Sequence, residues 1–160
     1  MAKALKQQEN AIEYAKWAKN IKSSIIQNFY DKQKGSFGSQ TANTMALEFG
    51  IIPEGEEDRI VSALVLDIKG HDNHFTTGIF GIRYLFEILT RYKHGDVALA
   101  LLHQNSYPSF GYLISLGATT LWESWGEPKH DELYGPRSLN HPMMGGYDNW
   151  FFNTLAGIRP

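Results

Sequence analysis

A single acidic side chain lies between two indoles in residues 118–125, a stretch that contains no other charged residue. The acid is Glu123, and the tryptophans are Trp122 and Trp125. A sugar ring has an apolar face that stacks on tryptophan, and its hydroxyl groups need polar partners. A carboxyl in apolar surroundings can have its pKa adjusted for proton transfer. The pattern therefore indicates a carbohydrate site, although a structural Glu paired with an Arg or a backbone donor has the same local sequence.

Composition limits the classes of protein to which this chain can belong. Its 160 residues, 42% hydrophobic and 13% aromatic, are enough for one globular domain with a sizeable core. The net charge of -2 comes without long runs of either sign, so we expect no nucleic-acid or membrane-surface partner. The absence of cysteine excludes disulfides, thiolate nucleophiles and Cys-based zinc sites. Residues 1–10 lack the apolar core of a signal peptide, and we expect a soluble protein whose compartment the sequence leaves open.

Apolar spacing predicts a series of helices. Residues 10–30 repeat apolar side chains every three to four positions, which predicts one buried face. Residues 78–92 are apolar around most of the helix axis, which predicts an inner helix. Thr and Trp replace strong helix formers in residues 118–125, so this segment is predicted to be extended, and residues 126–139 to be irregular. The predicted buried face of the first helix comprises Ala11, Ala15, Ala18, Ile21, Ile25 and Phe29. The other predicted helices cover residues 40–49, 60–68, 97–103, 110–116 and 142–155.

The connections between these helices fall into two classes. Two of them, 53–58 and 93–96, are short and charged. The others contain the Gly, His, Asn and aromatic residues, and up-down connectivity places them together at one end of a helical layer. Amphipathic outer helices that alternate with apolar inner helices predict an all-α fold, an α/α toroid of which about half the ring is present. An extended segment of about 26 Å would carry Glu123 to the polar and aromatic end.

Several motifs resemble one enzyme family. The most specific is ATTLWESW at residues 118–125, preceded by YPSFGY at 107–112 and followed by SLNH at 138–141. Weaker pieces in the same order are GSQTAN at 38–43, TTGIFG at 76–81 and LAGI at 155–158. Together they resemble the C-terminal part of the catalytic domain of bacterial α-L-rhamnosidases, glycoside hydrolase family 78. The resemblance implies that residues 1–160 are the C-terminal part of an (α/α)6 toroid catalytic domain.

The same resemblance implies a reaction and a set of site residues. Glu123 would be the general base that activates water in an inverting hydrolysis of terminal α-L-rhamnose. Such an enzyme needs two carboxyl groups about 6.5–9.5 Å apart, one acting as acid and one as base. His141 would bind the sugar, Trp122 and Trp125 would help to wall the pocket, and Asn140 would support it. No metal or other cofactor is implied.

The chain departs from the family pattern in two ways. Phe110, Ile82 and Ser124 stand where the family often has Trp, Thr and Arg. No stretch of residues 1–117 resembles the family motifs that carry the general acid and several sugar-binding carboxylates. We therefore expect a fragment whose partner is the missing N-terminal half of the domain, and an isolated chain without useful activity.

Three other interpretations compete with this one. The acidic run Glu54, Glu56, Glu57 and Asp58 and the trio His71, Asp72 and His74 each have some character of a metal site. A solvated helix N-terminus and a polar rim loop explain them as well. A non-catalytic helical module would use the apolar surface of residues 78–92, and self-association would be its sign. Another α/α-toroid sugar enzyme, such as a lyase or a different glycosidase, is the third.

Overall fold

The structure is a computed structural model that describes residues 1–125 and 138–158. Within these ranges there are helices, turns and irregular connections, with one isolated antiparallel bridge between Asp31 and Ser36. The all-α prediction is therefore confirmed for the described part of the chain. The helices are α1 (Gln8–Phe29), α2 (Gln40–Glu48), α3 (Glu57–Gly70), α4 (Ile79–Arg91), α5 (Gly95–Leu102) and α6 (Phe110–Ser115), followed by a 3₁₀ turn (Pro142–Gly145), an α-helical turn (Asp148–Trp150) and a π-helical turn (Phe151–Leu155).

Helix α4 lies at the centre of the fold. It packs against α2, α5 and the 3₁₀ turn, while α2 also contacts α3. Ile82, Leu85 and Phe86 are completely buried, and burial of each such side chain contributes about 1.5–3 kcal/mol to stability. The prediction of an inner helix is confirmed, although one strip of α4 is open and leaves Phe80 62% exposed.

The first residues of α2, α4 and α6 lie at the same end of the fold. Thr41 in α2 shares a hydroxyl hydrogen bond of 2.6 Å with Thr77, just before α4. His74, in the loop that precedes α4, lies 2.8 Å from the hydroxyl of Ser106, just before α6. The predicted clustering of the polar and aromatic connections at one end is thus confirmed for the described residues, and this end is called the rim below.

Two of the helices that begin at the rim have the same start signal. Ser39 and Ser109 are extended residues whose hydroxyl oxygens accept hydrogen bonds from the backbone N–H groups of Ala42 and Tyr112. A serine N-cap satisfies one of the donors that the first turn of a helix leaves open, which is worth about 1 kcal/mol. These caps fix where α2 and α6 begin, and therefore where the rim lies.

The prediction that α1 has a buried face is wrong. No residue of α1 is buried, and only its partly covered positions, among them Ala11 and Ile25, approach other parts of the chain. Trp17 and Ile21 are more than half exposed. The apolar stripe has the right spacing, but no described element packs along it. Charged residues also interrupt the sequence of α1. Within the described ranges no helix, α1 included, has the length and apolar character needed to cross a bilayer.

The prediction of one helix over residues 142–155 is also wrong. The segment is divided into the 3₁₀, α-helical and π-helical turns, and the first of these ends at a glycine pair that passes very close to two neighbours. A Cβ on Gly145 would lie 2.7 Å from Leu121 Cδ1, and a Cβ on Gly146 would lie 2.9 Å from Arg83 Cβ. Packing against these neighbours takes precedence over the helical period of the sequence.

The segment predicted to be extended forms no regular strand and bends at residues 119–120 and 123–125. Its direction is nevertheless as predicted, because it leads from the end of α6 back to the rim. Hydrogen bonds tie it to the chain that follows: the N–H of Glu123 donates to the Ser138 carbonyl at 2.9 Å, and the N–H of His141 donates to the Leu121 carbonyl at 2.7 Å.

Adding one methyl group at Gly81 tests how tightly the rim is packed. A Cβ there would lie 1.9 Å from Thr77 Oγ1 and 3.2 Å from Thr41 Cα. We expect Gly81→Ala to lower the free energy of unfolding by about 1–3 kcal/mol, because the Thr41–Thr77 contact must open. Urea denaturation measures this, with Gly70→Ala as control because nothing lies within 4 Å of its Cβ position. Equal effects of the two changes would contradict the prediction.

Candidate functional site

A cavity of about 520 Å³ lies at the rim. Its size is within the range of small-ligand pockets in proteins. One wall is the loop that leads into α4, a second precedes α6, and a third is the Glu123–Trp125 segment. The lining residues are Phe75, Thr76, Thr77, Gly78, Tyr107, Pro108, Glu123, Ser124 and Trp125.

Glu123 lies in the cavity wall and is half-buried. Its Oε2 accepts a hydrogen bond of 3.0 Å from the backbone N–H of Ser138. Among the described residues it forms no ion pair with an Arg, whereas the Ser138 N–H is a backbone donor of the kind that the structural alternative also names. A carboxylate held by one backbone donor in a cavity wall is suited to accept a proton from a bound water.

Trp125 is held by contacts of two kinds. Its indole stacks on Phe75 with ring centroids 4.7 Å apart and planes 3° apart, and Phe110 meets it edge-on at 4.9 Å. Its Nε1–H donates to the Thr77 carbonyl at 2.9 Å. Aromatic pairs of this geometry contribute about 0.5–1.5 kcal/mol beyond the area they bury. The indole is therefore a fixed part of the cavity wall.

The remaining predicted site residues lie near the cavity without lining it. Trp122 is 9% exposed and packs inside the fold. Asn140 is exposed, and its backbone N–H donates to Ser138 Oγ at 3.2 Å. His141 is half-buried, and its Nδ1 is buried without a hydrogen-bond partner among the described residues. The backbone bond to Leu121 brings His141 beside the Glu123 segment, and sugar contacts by these three side chains stay predictions.

The structure adds residues that sequence reasoning did not assign to the site. Thr76 and Thr77 line the cavity, and Tyr107 lies at its mouth, 61% exposed and edge-on to Tyr112 at 5.5 Å. Their motifs had been recognised, but only as family pieces. Periodicity could not find these residues because they come from loops far apart in sequence.

The three departures from the family pattern fall in different environments. Ile82 is 0% exposed and belongs to the core. Phe110 packs edge-on against both Phe75 and Trp125, so it supports the cavity wall from behind. Ser124 is the one that lines the cavity itself.

The residues considered as metal ligands have other partners. His71 Nδ1 lies 2.7 Å from the Asp67 carbonyl, and His74 bridges the His71 carbonyl and Ser106. In residues 1–125 and 138–158, no three His, Asp or Glu side chains converge in a metal-binding geometry. These loop residues connect the rim segments to one another.

The acidic run before α3 is divided between two roles. Glu57 and Asp58 lie in the first turn of α3, where negative charge favours the helix dipole. Glu56 accepts a hydrogen bond from Tyr30 and pairs with Arg59 at 2.6 Å, and these two partners hold the pKa of its carboxyl below the usual value. Burial and the neighbouring Glu56 raise the pKa of Tyr30 to about 12. The cluster joins the end of α1 to the start of α3.

Comparison with known proteins relates this fold and cavity to one family. The profile of the bacterial α-L-rhamnosidase six-hairpin glycosidase domain matches residues 1–155. The chain belongs to this family. A Formosa agariphila protein named α-L-rhamnosidase is 38% identical over 77% of the chain. An Alteromonas protein of the same name is 31% identical over 95% of the chain.

Solved structures of family members have the same fold. The α-L-rhamnosidase of Dictyoglumus thermophilum superposes on 99% of this chain with a TM-score of 0.86 and 37% identity. The Streptomyces avermitilis α-L-rhamnosidase, solved in complex with L-rhamnose, covers 94% of it with a TM-score of 0.81 and 30% identity. The prediction of an α/α-toroid fold is thereby confirmed.

This chain is much shorter than its relatives. It spans 13% and 17% of the Formosa and Alteromonas proteins, and 18% and 15% of the Dictyoglumus and Streptomyces chains. The matched region corresponds to a minor part of each relative.

Replacement of Trp125 by Phe tests how the cavity wall is held. We expect Trp125→Phe to keep the stack on Phe75 but to lose the indole hydrogen bond, which lowers the free energy of unfolding by about 1 kcal/mol because the Thr77 carbonyl is left unpaired. Urea denaturation measures the change. The control is Trp17→Phe on the exposed face of α1, where we expect less than about 0.5 kcal/mol. A larger loss of unfolding free energy in Trp17→Phe than in Trp125→Phe would refute this.

Proposed function

We propose that this chain carries the base-bearing wall of an active site that hydrolyses terminal α-L-rhamnosides with inversion. The observation that carries the proposal is Glu123 in the wall of a 520 Å³ cavity beside the fixed indole of Trp125. Family membership supports it, as does the Streptomyces relative solved with L-rhamnose. The substrate class is a rhamnose-terminated glycoside or polysaccharide.

In the proposed reaction, Glu123 accepts a proton from a water molecule as that water attacks the anomeric carbon. The bond from that carbon to the glycosidic oxygen breaks, and a second carboxyl group protonates the leaving oxygen from the opposite face. Trp125 and Trp122 wall the sugar pocket, His141 binds sugar hydroxyl groups, and Asn140 supports the pocket. No cofactor takes part in this scheme.

The second carboxyl group is proposed to belong to a part of the catalytic domain outside these 160 residues. The chain covers less than a fifth of each relative described above, which supports this assignment. Residues 1–160 are then the C-terminal part of the domain, and the N-terminal part is their partner. Without it we expect no hydrolysis, since loss of one proton-transfer group costs about 10² to 10⁴ in rate.

A single-chain chimera tests the proposal. Residues 1–158 of this chain replace the matching stretch of the Dictyoglumus relative, a substitution supported by 99% coverage at a TM-score of 0.86. We expect the chimera to release the aryl group from an aryl α-L-rhamnoside and this chain alone to release none. Proton NMR of the first product is expected to show the inverted anomer. Retention of configuration would contradict the proposed role of Glu123 as a base.

Glu123→Gln in the chimera isolates the chemical role of the carboxylate. We expect kcat to fall by about 10² to 10⁴ because the amide cannot accept the proton. Thermal unfolding should be unchanged, since the amide oxygen can still accept the hydrogen bond from the Ser138 N–H. The matched control is Glu54→Gln, an exposed acid outside the cavity. Full activity in a folded Glu123→Gln chimera would overturn the proposal.

The same chimera separates the proposed function from a related one. A panel of aryl glycosides that differ in the sugar reveals another glycosidase specificity, and a new unsaturated product would reveal a lyase. Preference for any sugar other than α-L-rhamnose by the folded chimera counts against the proposed substrate.

A further inference from the structure

Gln40 is a buried amide at the first position of α2. It is 0% exposed. Its Nε2 donates to the His74 carbonyl at 3.1 Å, and its Oε1 accepts from the Thr76 N–H at 2.9 Å. The side chain thus binds a loop that lies more than thirty residues away in sequence. Burial of an amide is costly unless both of its ends are paired, and here the same loop pairs both.

The loop that Gln40 holds is the one on which Trp125 rests. Phe75 lies between the two backbone groups bound by Gln40, and its ring is the stacking partner of the Trp125 indole. Thr77 follows directly, and its carbonyl accepts the Trp125 Nε1–H. Both contacts of Trp125 with this loop therefore come from residues adjacent to those that Gln40 fixes.

Trp125 in turn is two residues from Glu123, and both side chains line the 520 Å³ cavity. Gln40 does not line that cavity. A chain of contacts thus runs from the Gln40 amide through the loop and the indole to the segment that carries the carboxylate.

We propose that Gln40 is a positioning residue for Glu123. Its amide fixes the backbone of residues 74–76, the loop fixes the Trp125 indole, and the indole holds the 123–125 segment against the cavity. The inference rests on the proposed role of Glu123 as base, but the indirect connection from Gln40 through residues 74–77 to Trp125 can be tested without any hydrolysis.

The structure contains a matched control on the same helix. Asn43 is also a buried amide, 1% exposed, and it lies one turn after Gln40. Its Oδ1 accepts from the Phe37 N–H at 2.7 Å and its Nδ2 donates to Ser36 Oγ at 3.0 Å, so it holds a different loop. Loss of the Gln40 amide removes its hydrogen bonds to His74 and Thr76, and loss of the Asn43 amide removes those to Ser36 and Phe37, but only the loop held by Gln40 contacts Trp125.

Indole proton exchange, followed by NMR on the full 160-residue chain, distinguishes positioning from general stability. Trp125 and Trp150 both donate through Nε1, the first to Thr77 and the second to Thr90 Oγ1 at 2.8 Å. In Gln40→Met we expect exchange at Trp125 to accelerate about tenfold while exchange at Trp150 is unchanged. In Asn43→Leu we expect no selective change at Trp125. Unchanged exchange at Trp125 in Gln40→Met, or equal acceleration at both indoles, would overturn the proposal.

A second variant provides a rescue that packing alone would not produce. A carboxyl at position 40 is buried, so its pKa is raised, and its protonated form has both an acceptor for the Thr76 N–H and a donor for the His74 carbonyl. Above that pKa we expect the indole proton of Trp125 to exchange as fast in Gln40→Glu as in Gln40→Met. Below that pKa we expect it to exchange as slowly as in the unmodified chain. If exchange at Trp125 in Gln40→Glu does not slow selectively as the pH is lowered from 7 to about 4, the hydrogen-bonding role of the Gln40 side chain is contradicted.

Kinetics in the chimera complete the test. We expect Gln40→Met to lower kcat about tenfold with little change in KM, because the base is misaligned while the sugar contacts persist. Asn43→Leu should leave kcat unchanged. If Glu123→Gln has no effect, the proposed function fails, although the connection of Gln40 to Trp125 through the loop can stand. If Trp125 does not respond to Gln40→Met, the positioning role fails although the proposed function can stand.

Discussion

The rim depends on the packing of one aromatic ring, that of Phe75. It is 1% exposed and contacts Phe86 in the core, Phe110 at the start of α6 and Trp125 in the cavity wall. The three contacts connect the central helix to the two segments that complete the site. Because packed aromatic rings tolerate little displacement, a shift of Phe75 would be transmitted to all three. The position of the cavity is therefore a consequence of core packing.

Polar contacts determine the remaining geometry. The Gln40 amide and the Thr41–Thr77 hydroxyl pair connect α2 to the loop before α4, and His74 connects that loop to Ser106. Each connection joins segments that are about thirty or more residues apart. Such contacts add specificity to a helical layer whose apolar packing alone would permit several alignments. The loops of the rim are thus held by partners on neighbouring elements.

The surface away from the rim has a different character. Helix α1 leaves Trp17 and Ile21 in solvent. A second cavity, of about 830 Å³, lies between α4 and residues 146–154. An exposed apolar stripe with helical spacing is typical of a surface that packs against another element. These uncovered apolar surfaces belong to a chain that spans less than a fifth of the length of each relative described above.

Sequence periodicity predicted most helices well because burial of an apolar face is a local pattern. The ATTLWESW motif that singles out Glu123 is local as well. The prediction failed at α1 and at residues 142–155. In the first case no described element covers the stripe, and in the second the predicted helix is interrupted at Gly145 and Gly146, which pass close to Leu121 and Arg83.

The sequence by itself indicated the fold class and the family, and it singled out Glu123 as the candidate acid, since each depends on residue types at short spacing. Only the tertiary structure decided which side chains surround that acid. It brought Thr76, Thr77 and Tyr107 to the cavity, left Trp122 in the interior, and gave Gln40 its connection to Trp125. The physical reason is that these contacts join distant segments, and no periodic pattern along the chain encodes which loops will meet.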